Sequence, residues 1–444
     1  MTAEIRFFWV RLNANYWFYP ATFAVFAAAL AFVTVYLDRT GFAEFLSDYE
    51  WLVPVRPKGA ADILTVMAGT MIGVASTVFS ITLVAVTYAS GTYGPRLLTN
   101  FLEDKGNQIS LATFIGTFVY ALMVLRSVRA EDESASTATD AAATALPGFA
   151  PQLSLLVAYA LVAACVVVLV FFLHHVPSSI RINKVLEMIG QRLISAVRKT
   201  YPVEDDFSDA REPAGGEELT AWDTGYVQMI DFEDLEKAAR DCDCTFSLKV
   251  RTGDFVHRGL PLMDVKGCKP EEIKDRVRED FTLGAFRTPE QDPQFLIDEL
   301  VEIALRALSP GINDPFTAIT AMHWLGAATS EIGRRDLRKD VCGEDAEDCP
   351  VIPCPDDFAH YLKRGFGSMR SAVATNPNAA LVMLGVVSNA ATPIENDARR
   401  DALHEQGRLL IEQARKRLKG PDLDAVEDRY RTFDQWFADQ RRVG

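Results

Sequence analysis

Small and hydroxyl-bearing side chains recur along one apolar stretch of the chain and form its most distinctive chemical pattern. The recurring residues, at intervals of 3, 4, 3, 7 and 4, are Thr70, Gly73, Thr77, Ser80, Thr87 and Gly91. Such intervals place them on one face of a helix. In lipid, small residues let helices pack closely, and pore-facing hydroxyls can replace part of the water shell of an ion. The stripe therefore predicts either a packed helix interface or a pore lining, and the candidate pore-lining residues are Thr70, Gly73, Thr77, Ser80 and Thr87.

The stretch runs on into Tyr88-Ala-Ser-Gly-Thr-Tyr-Gly-Pro-Arg96, where two glycines and a proline interrupt helical regularity. This run differs from the potassium-filter pattern. We expect a turn that places Arg96 at the membrane surface, as a candidate cytoplasmic mouth whose charge attracts anions.

A second candidate site is the run Ser309-Pro-Gly-Ile-Asn-Asp-Pro-Phe316 between two predicted helices. Asp314 is a suitable N-cap residue, and Pro315 suits the first helical position. We expect a structural turn buried between the helices. The alternative is an anion or small-ligand site at the helix N-terminus, with help from Arg287 and Arg306. The residues of this structural turn or ligand site are Ser309, Pro310, Gly311, Asn313 and Asp314.

Catalytic and metal-binding patterns are weak throughout the sequence. The spacing of Cys342, Cys349 and Cys354 does not match paired zinc ligands, and Cys242-x-Cys244 is equally unspecific. A reducing cytoplasm disfavours disulfides at these positions. His174 and His175 suit interfacial capping, with pH sensing as the alternative. Because we find no phosphate-binding loop, nucleophile elbow or zinc-protease motif, we predict no catalytic residues, no metal and no cofactor. The role of the cysteine-containing insertion 342–354 stays open.

The elements that would position these residues follow from the uneven distribution of charge. Of the 444 residues, 49% are apolar and 24% charged. The first 177 residues hold 9 Lys and Arg against 12 Asp and Glu, a net of −3, which leaves −12 of the total −15 for the remainder. The acidic balance argues against nucleic acid as a partner, and seven irregularly spaced cysteines argue against a disulfide-stapled secreted fold. The pattern indicates a membrane protein with a large water-soluble half.

Four stretches are apolar and long enough to cross a bilayer core, which needs about 20 residues. They are Trp17–Leu37, Ile63–Tyr88, Ile109–Leu125 and Leu153–Val176. The first is too long for a cleaved signal peptide. Lys and Arg concentrate before the first stretch and after the fourth, which predicts that both termini are cytoplasmic.

The predicted fold class is mainly α, with four transmembrane helices and a cytoplasmic α+β domain that contains a small β-module. The run Gly253–Leu262 resembles the strand–turn–strand of biotinyl/lipoyl-type domains, with its glycines serving positive φ. From Asp292 onward, helical periodicity dominates. The predicted divisions are an interfacial N-terminal helix (1–16), a transmembrane domain (17–177), a juxtamembrane helix and acidic linker (178–218), a β-rich module (219–285) and a helical domain (286–444).

Several of these motifs together resemble one bacterial membrane-protein family, catalogued as domain of unknown function 2254. They are the Ser80–Arg96 block, the Gly253-Asp-Phe-Val turn, Gln291-Asp292 and the run Ala307–Ala318. The resemblance implies a multi-pass protein of the bacterial inner (plasma) membrane with a cytoplasmic domain, and it brings no activity.

The function that these features favour is a homo-oligomeric channel or transport-like protein with its pore near the second span. Its partners would be the lipid bilayer and other copies of the chain. The alternative is a membrane-anchored scaffold or sensor whose cytoplasmic domain binds a partner or ligand. No nucleophile–base pair supports an enzyme.

Overall fold

The computed structural model describes residues 15–42, 55–94, 104–129, 148–201, 212–337, 341 and 349–443. The chain divides into two compact units, a membrane unit (Met1–Arg181) and a C-terminal unit (Ile182–Gly444). Most of the predicted N-terminal interfacial helix, the proposed mouth residue Arg96 and most of the cysteine-containing insertion lie outside the described residues.

Four helices long and apolar enough to cross a membrane lie in the described part of the membrane unit. They are α1 (Phe18–Arg39), α2 (Pro57–Tyr93), α3 (Lys105–Leu125) and α4 (Gln152–Ser179). All four predicted spans are confirmed. The second helix is longer than predicted: 37 residues extend about 55 Å at 1.5 Å per residue, well beyond a 30 Å hydrocarbon core.

The third helix is the centre of the membrane unit. In its most apolar stretch 56% of the residues are buried, against 22% in each of the other three helices. Helices α1, α2 and α4 all pack on α3. Small residues such as Ala112 and Gly116 allow this, since a Cβ at Gly116 would lie 3.4 Å from the Phe23 carbonyl oxygen.

The C-terminal unit is mostly helical, as its periodicity predicts. Its helical part contains α5 (Ile182–Thr200), α8 (Pro293–Ala307), α9 (Pro315–Gly333), α10 (Phe358–Leu362), a π-helical turn (Lys363–Gly367), α11 (Ser368–Val373), α12 (Pro377–Ala391), α13 (Asp397–Arg417) and α14 (Pro421–Val443). Helix α5 buries its apolar face against α8 and α9. It approaches α9 so closely that a Cβ at Gly190 would lie 2.4 Å from the Trp324 ring.

The β-rich part of this unit holds two small sheets and two helices. Its elements are β1 (Glu217–Thr220), β2 (Gly225–Ile230), α6 (Phe232–Asp241), β3 (Thr245–Leu248), β4 (Phe255–Val256), β5 (Pro261–Lys266), α7 (Pro270–Arg278), β6 (Phe281–Gly284) and β7 (Val351–Ile352). One sheet has the order β1-β5-β3-β7 and the other β4-β2-β6. Phe246, Met263 and Val227 lie in a shared core. The fold class, mainly α with a small sheet region, is confirmed.

The Gly253–Leu262 run differs from a simple hairpin. Its strands β4 and β5 belong to different sheets, because β4 pairs with β2 while β5 pairs with β1 and β3. The prediction for its glycines is confirmed, since φ is 91° at Gly253 and 90° at Gly259.

Candidate functional site

The candidate pore-lining residues lie together on one exposed face of α2. Thr70, Gly73, Thr77, Ser80 and Thr87 are all exposed in the single chain. The opposite face, which includes Leu64, Val78 and Val86, is buried. A Cβ added at Gly73 or Gly91 would meet no atom within 4 Å. The stripe is therefore an outer surface of the single chain. An ion path along it would have to be enclosed by another molecule.

Each hydroxyl of the stripe donates a hydrogen bond to its own helix. Thr70 Oγ1 lies 2.8 Å from the Val66 carbonyl oxygen, and Thr87 Oγ1 lies 2.8 Å from that of Leu83. Thr77 and Ser80 make the same i−4 bond at 3.0 and 2.9 Å. Such bonds satisfy the hydroxyl hydrogens in an apolar environment and leave the oxygens with acceptor capacity.

Polar contacts, most of them partly buried, join α4 to other membrane helices. The Asp38 carboxylate accepts bonds from the Leu153 and Ser154 amides at 2.9 and 3.0 Å and from Ser154 Oγ at 2.6 Å. It thus satisfies the free amides at the start of α4, although it belongs to α1. Tyr120 of α3 joins this group, because its hydroxyl donates to the Ser154 carbonyl oxygen and lies 2.9 Å from Thr34 Oγ1.

At the other end of α4, His175 contacts Asp104, the N-cap residue of α3. His175 Nε2 lies 2.9 Å from Asp104 Oδ2, and Asp104 Oδ1 accepts from the Gly106 amide at 2.8 Å. A Cβ at Gly106 would lie 2.5 Å from His175 Nε2, so a larger residue there would displace the His175 ring. The sequence singled out His175 but not Asp38 or Asp104, whose partners are 71 or more residues away.

The turn between α8 and α9 has the predicted cap but not the predicted burial. Asp314 Oδ1 accepts from the Thr317 amide at 3.2 Å, and Asp314 Oδ2 accepts from Thr317 Oγ1 at 2.6 Å. The expectation of burial is wrong: of the five candidate residues, Ser309 and Asp314 are partly exposed and Pro310, Gly311 and Asn313 are exposed. The turn satisfies its own amides, since Asn313 N lies 2.9 Å from the Ser309 carbonyl oxygen. It therefore needs no surrounding protein.

The residue with left-handed backbone in this turn is Asn313, with φ 51°, and Gly311 has ordinary backbone angles. Arg287, which the alternative ligand site would use, is held elsewhere. Its guanidinium donates to Asp292 Oδ2 at 2.9 Å and to Asp298 Oδ2 at 2.6 Å. These ion pairs of Arg287 argue against the part in a ligand site that the sequence left open for it.

Two of the motifs that carried the family resemblance contact each other. Thr252 Oγ1 donates to the Gln291 carbonyl oxygen at 2.6 Å. A Cβ at Gly253 would lie 2.1 Å from Asp292 Oδ2. Gln291 also uses its amide group to bond both backbone groups of Ile230. The Gly253 turn and the Gln291-Asp292 pair therefore join the sheets to the start of α8. The two motifs are far apart in sequence, so local sequence patterns did not predict their contact.

The C-terminal unit gathers cysteines around one core. Cys244 and Cys349 belong to the core, and Cys242, Cys268 and Cys354 pack against it. Cys244 and Cys268 form a disulfide, and Cys349 is also disulfide-bonded. The expectation that these cysteines remain reduced is wrong. It overlooked Cys268, which antiparallel pairing of β3 with β5 brings to Cys244. Within the described ranges, no group of three His, Cys, Asp or Glu residues could hold a metal ion.

Among the described carboxyl groups outside the membrane helices, Asp280 has the most strongly shifted pKa. It precedes β6, is 8% exposed, and its Oδ2 finds no hydrogen-bond partner among the described residues. Burial, followed by the charges of Asp234 and Asp231, raises the pKa of Asp280 to about 7. Arg276 opposes this shift without cancelling it.

Comparison with known proteins places these features in a family. A family model described as "Predicted membrane protein (DUF2254)" matches residues 13–389. The chain is 31% identical over 373 residues to the uncharacterized protein Rv1290c of Mycobacterium tuberculosis and to the uncharacterized protein Mb1321c of Mycobacterium bovis. These alignments cover 81% of this chain and 69% of each relative. No solved structure matches the chain.

Proposed function

Because the chain belongs to the DUF2254 family of predicted membrane proteins, we propose that it works as a homo-oligomer in the membrane. In this assembly the exposed stripe of α2 lies between neighbouring chains and lines a path for small ions. The observation that carries the proposal is the outward position of the stripe, with Gly73 open to approach and Thr70 and Thr77 on the same face.

Small residues on an outer helix face favour association with a second helix. Without Cβ atoms at Gly69, Gly73 and Gly91, another backbone can come close, which increases van der Waals contact in lipid. Large apolar side chains beside the stripe, such as Ile72 and Leu83, are 42% and 55% exposed and suit lipid contact.

An ion path along the stripe is supported by the chemistry of the hydroxyls. Their oxygens keep acceptor capacity although their hydrogens are used within α2. Rings of such oxygens contributed by several chains would replace part of the hydration shell of an ion. A path shared between chains also fits a protomer with four candidate spans.

The second candidate function is a membrane-anchored scaffold or sensor. The same i−4 hydrogen bonds favour it, because a stripe with satisfied hydroxyl hydrogens is suited to a dry helix interface. In that case the stripe only mediates self-association, and the acidic C-terminal unit binds the partner or ligand.

We further propose that the protein resides in the bacterial inner membrane with both termini in the cytoplasm. Arg181, Lys184 and Arg192 follow α4 closely in sequence, as expected for a cytoplasmic flank. Protease digestion of inside-out and right-side-out vesicles tests this orientation. Cleavage of the C-terminal unit only in right-side-out vesicles would contradict it.

The first experiment tests the interface. Oxidative cross-linking of Thr77→Cys in native membranes should give dimers above the background of the parent chain. The matched control is Val25→Cys, which places a cysteine at an equally outward position of α1, where Val25 is 72% exposed. Equal cross-linking of both variants, or of neither, would contradict an interface at the stripe.

The second experiment tests conduction. Purified protein in liposomes should pass small ions, and Gly73→Leu should reduce the flux because its side chain fills the stripe. Ile72→Phe adds bulk to the same helix at an exposed position about 100° round the helix axis from Gly73, and it should leave the flux unchanged. Cross-linking without flux at every voltage, tension and pH applied would favour the scaffold.

A further inference from the structure

We propose that Cys242, Cys244 and Cys268 form a thiol–disulfide exchange site in which Cys268 changes partners. In the described state Cys268 is bonded to Cys244, and Cys242 is a free thiol. In the exchanged state Cys268 is bonded to Cys242, and Cys244 becomes the thiol.

The backbone brings the three cysteines to one place. Thr245 is paired with Lys266 in the β3–β5 ladder, so the residues just before β3 lie beside those just after β5. Gly267, with φ 108°, packs closely against the residues just before β3, because a Cβ at Gly267 would lie 2.6 Å from the Asp243 carbonyl oxygen. The Cα atoms of Cys244 and Cys268 are 5.9 Å apart, which suits a disulfide.

Cys242 lies at the same turn. It is separated from Cys244 only by Asp243, whose φ of 52° reverses the chain direction. Cys244 Sγ lies 3.1 Å from the Cys242 carbonyl oxygen. Cys242 and Cys268 are both partly exposed and pack against the same core, whereas Cys244 is 4% exposed. Cys268 is thus the more exposed partner of the disulfide, and the one that we expect an attacking thiol to reach.

The exchange step is balanced without an oxidant. The Cys242 thiolate attacks Cys268 Sγ, a Cys242–Cys268 bond forms, and the Cys268–Cys244 bond breaks. Cys244 leaves with the electron pair and takes up the proton that Cys242 released. An external dithiol attacking Cys268 by the same route would supply two electrons and two protons, and would itself become a disulfide.

The proposed cytoplasmic location of the C-terminal unit is consistent with thiol–disulfide exchange. Cytosolic disulfides are mostly transient, catalytic or redox-sensing, so a bond in a cytoplasmic unit is expected to exchange. This point rests on the orientation proposed above, while the three-cysteine geometry does not.

The test uses the full chain in detergent, equilibrated at pH 8 with a trace of dithiothreitol, then quenched with acid, alkylated and mapped by mass spectrometry without reduction. We expect peptides for both Cys244–Cys268 and Cys242–Cys268 in the unaltered chain. C242S should show only the first bond and C244S only the second. C354S, which alters another cysteine packed against the same core, should behave like the unaltered chain.

Absence of the Cys242–Cys268 peptide from the unaltered chain would overturn the proposal, even if C244S fails to fold. Recovery of Cys242 and Cys268 as separate alkylated thiols in folded C244S under mild oxidation would do the same. Neither result bears on cross-linking at Thr77 or on ion flux, so the two proposals fail separately.

Discussion

Replacing Asp280 by Asn should stabilise the C-terminal unit at alkaline pH and leave it unchanged in acid. Asp280 is buried, and its neighbours are Asp231 and Asp234 at the start of α6 and Arg276 and Glu279 at the end of α7. The folded state therefore favours its protonated form, and the asparagine side chain reproduces that neutral shape.

The magnitude follows from the raised pKa of Asp280, about 7 in the folded chain against an ordinary 3.8. Between these values the folded state holds a proton that the unfolded state has lost, so stability falls as the pH rises from about 4 to about 7. At about 1.4 kcal/mol per pKa unit the loss reaches at most about 4 kcal/mol. The loss is complete above pH 7, and Asp280→Asn should escape it.

Hydrogen exchange of the β6 amides measures this locally. At each pH the ratio of exchange rates in the unaltered chain and in Asp280→Asn cancels most of the intrinsic pH dependence. We expect slower exchange in the variant already at pH 5, and a ratio at least about tenfold larger at pH 8 than at pH 5, since tenfold corresponds to about 1.4 kcal/mol. Asp275→Asn, which changes an exposed acid of α7, is the control and should give a ratio near one throughout. A ratio for Asp280→Asn that does not change between pH 5 and pH 8 would refute the reasoning.

Four further substitutions test local geometry through thermal unfolding of the full chain in detergent. Gly106→Ala should destabilise the membrane unit by about 2 kcal/mol or more, because its Cβ would lie 2.5 Å from His175 Nε2; unaltered melting would contradict the close approach. Asn313→Ala should lower the stability by about 1 kcal/mol, since the φ of Asn313 is 51°. The control Gly311→Ala, whose Cβ meets no steric conflict, should melt like the parent chain. A larger loss for Gly311→Ala than for Asn313→Ala would show that the strain lies at the glycine. Asp314→Ala should lose the cap to Thr317 and about 1 kcal/mol; a loss of ligand binding with unchanged melting would instead favour a ligand site.

Hydropathy and periodicity were enough to predict the membrane spans and most of the later helices of this protein. The four spans, the amphipathic α5 and the helices after Asp292 follow from local patterns, because apolar length and a 3.6-residue repeat are properties of the sequence alone. The same holds for the stripe of α2, whose residues share one face. Gly253 and Asp314 also fulfil predictions based on local backbone chemistry, a positive φ and an N-cap.

Which surfaces these elements pack against was decided only by the tertiary structure. The sequence could not show that the stripe faces outward, because which side of α2 packs on α3 depends on the fit of both helices. The turn at Gly311 was expected to be buried, yet its own hydrogen bonds satisfy it in water.

Polar contacts between residues far apart in sequence show most clearly what the sequence could not predict. Asp38 caps a helix that begins 114 residues later in the chain, and Cys244 meets Cys268 through strand pairing. No periodicity links such residues, since their contact is created by chain closure over distances that local patterns do not encode. The sequence therefore determined most of the helices, the residues that share a face on each and the membrane class. The polar contacts between helices, and the cysteine site, exist only in the folded chain.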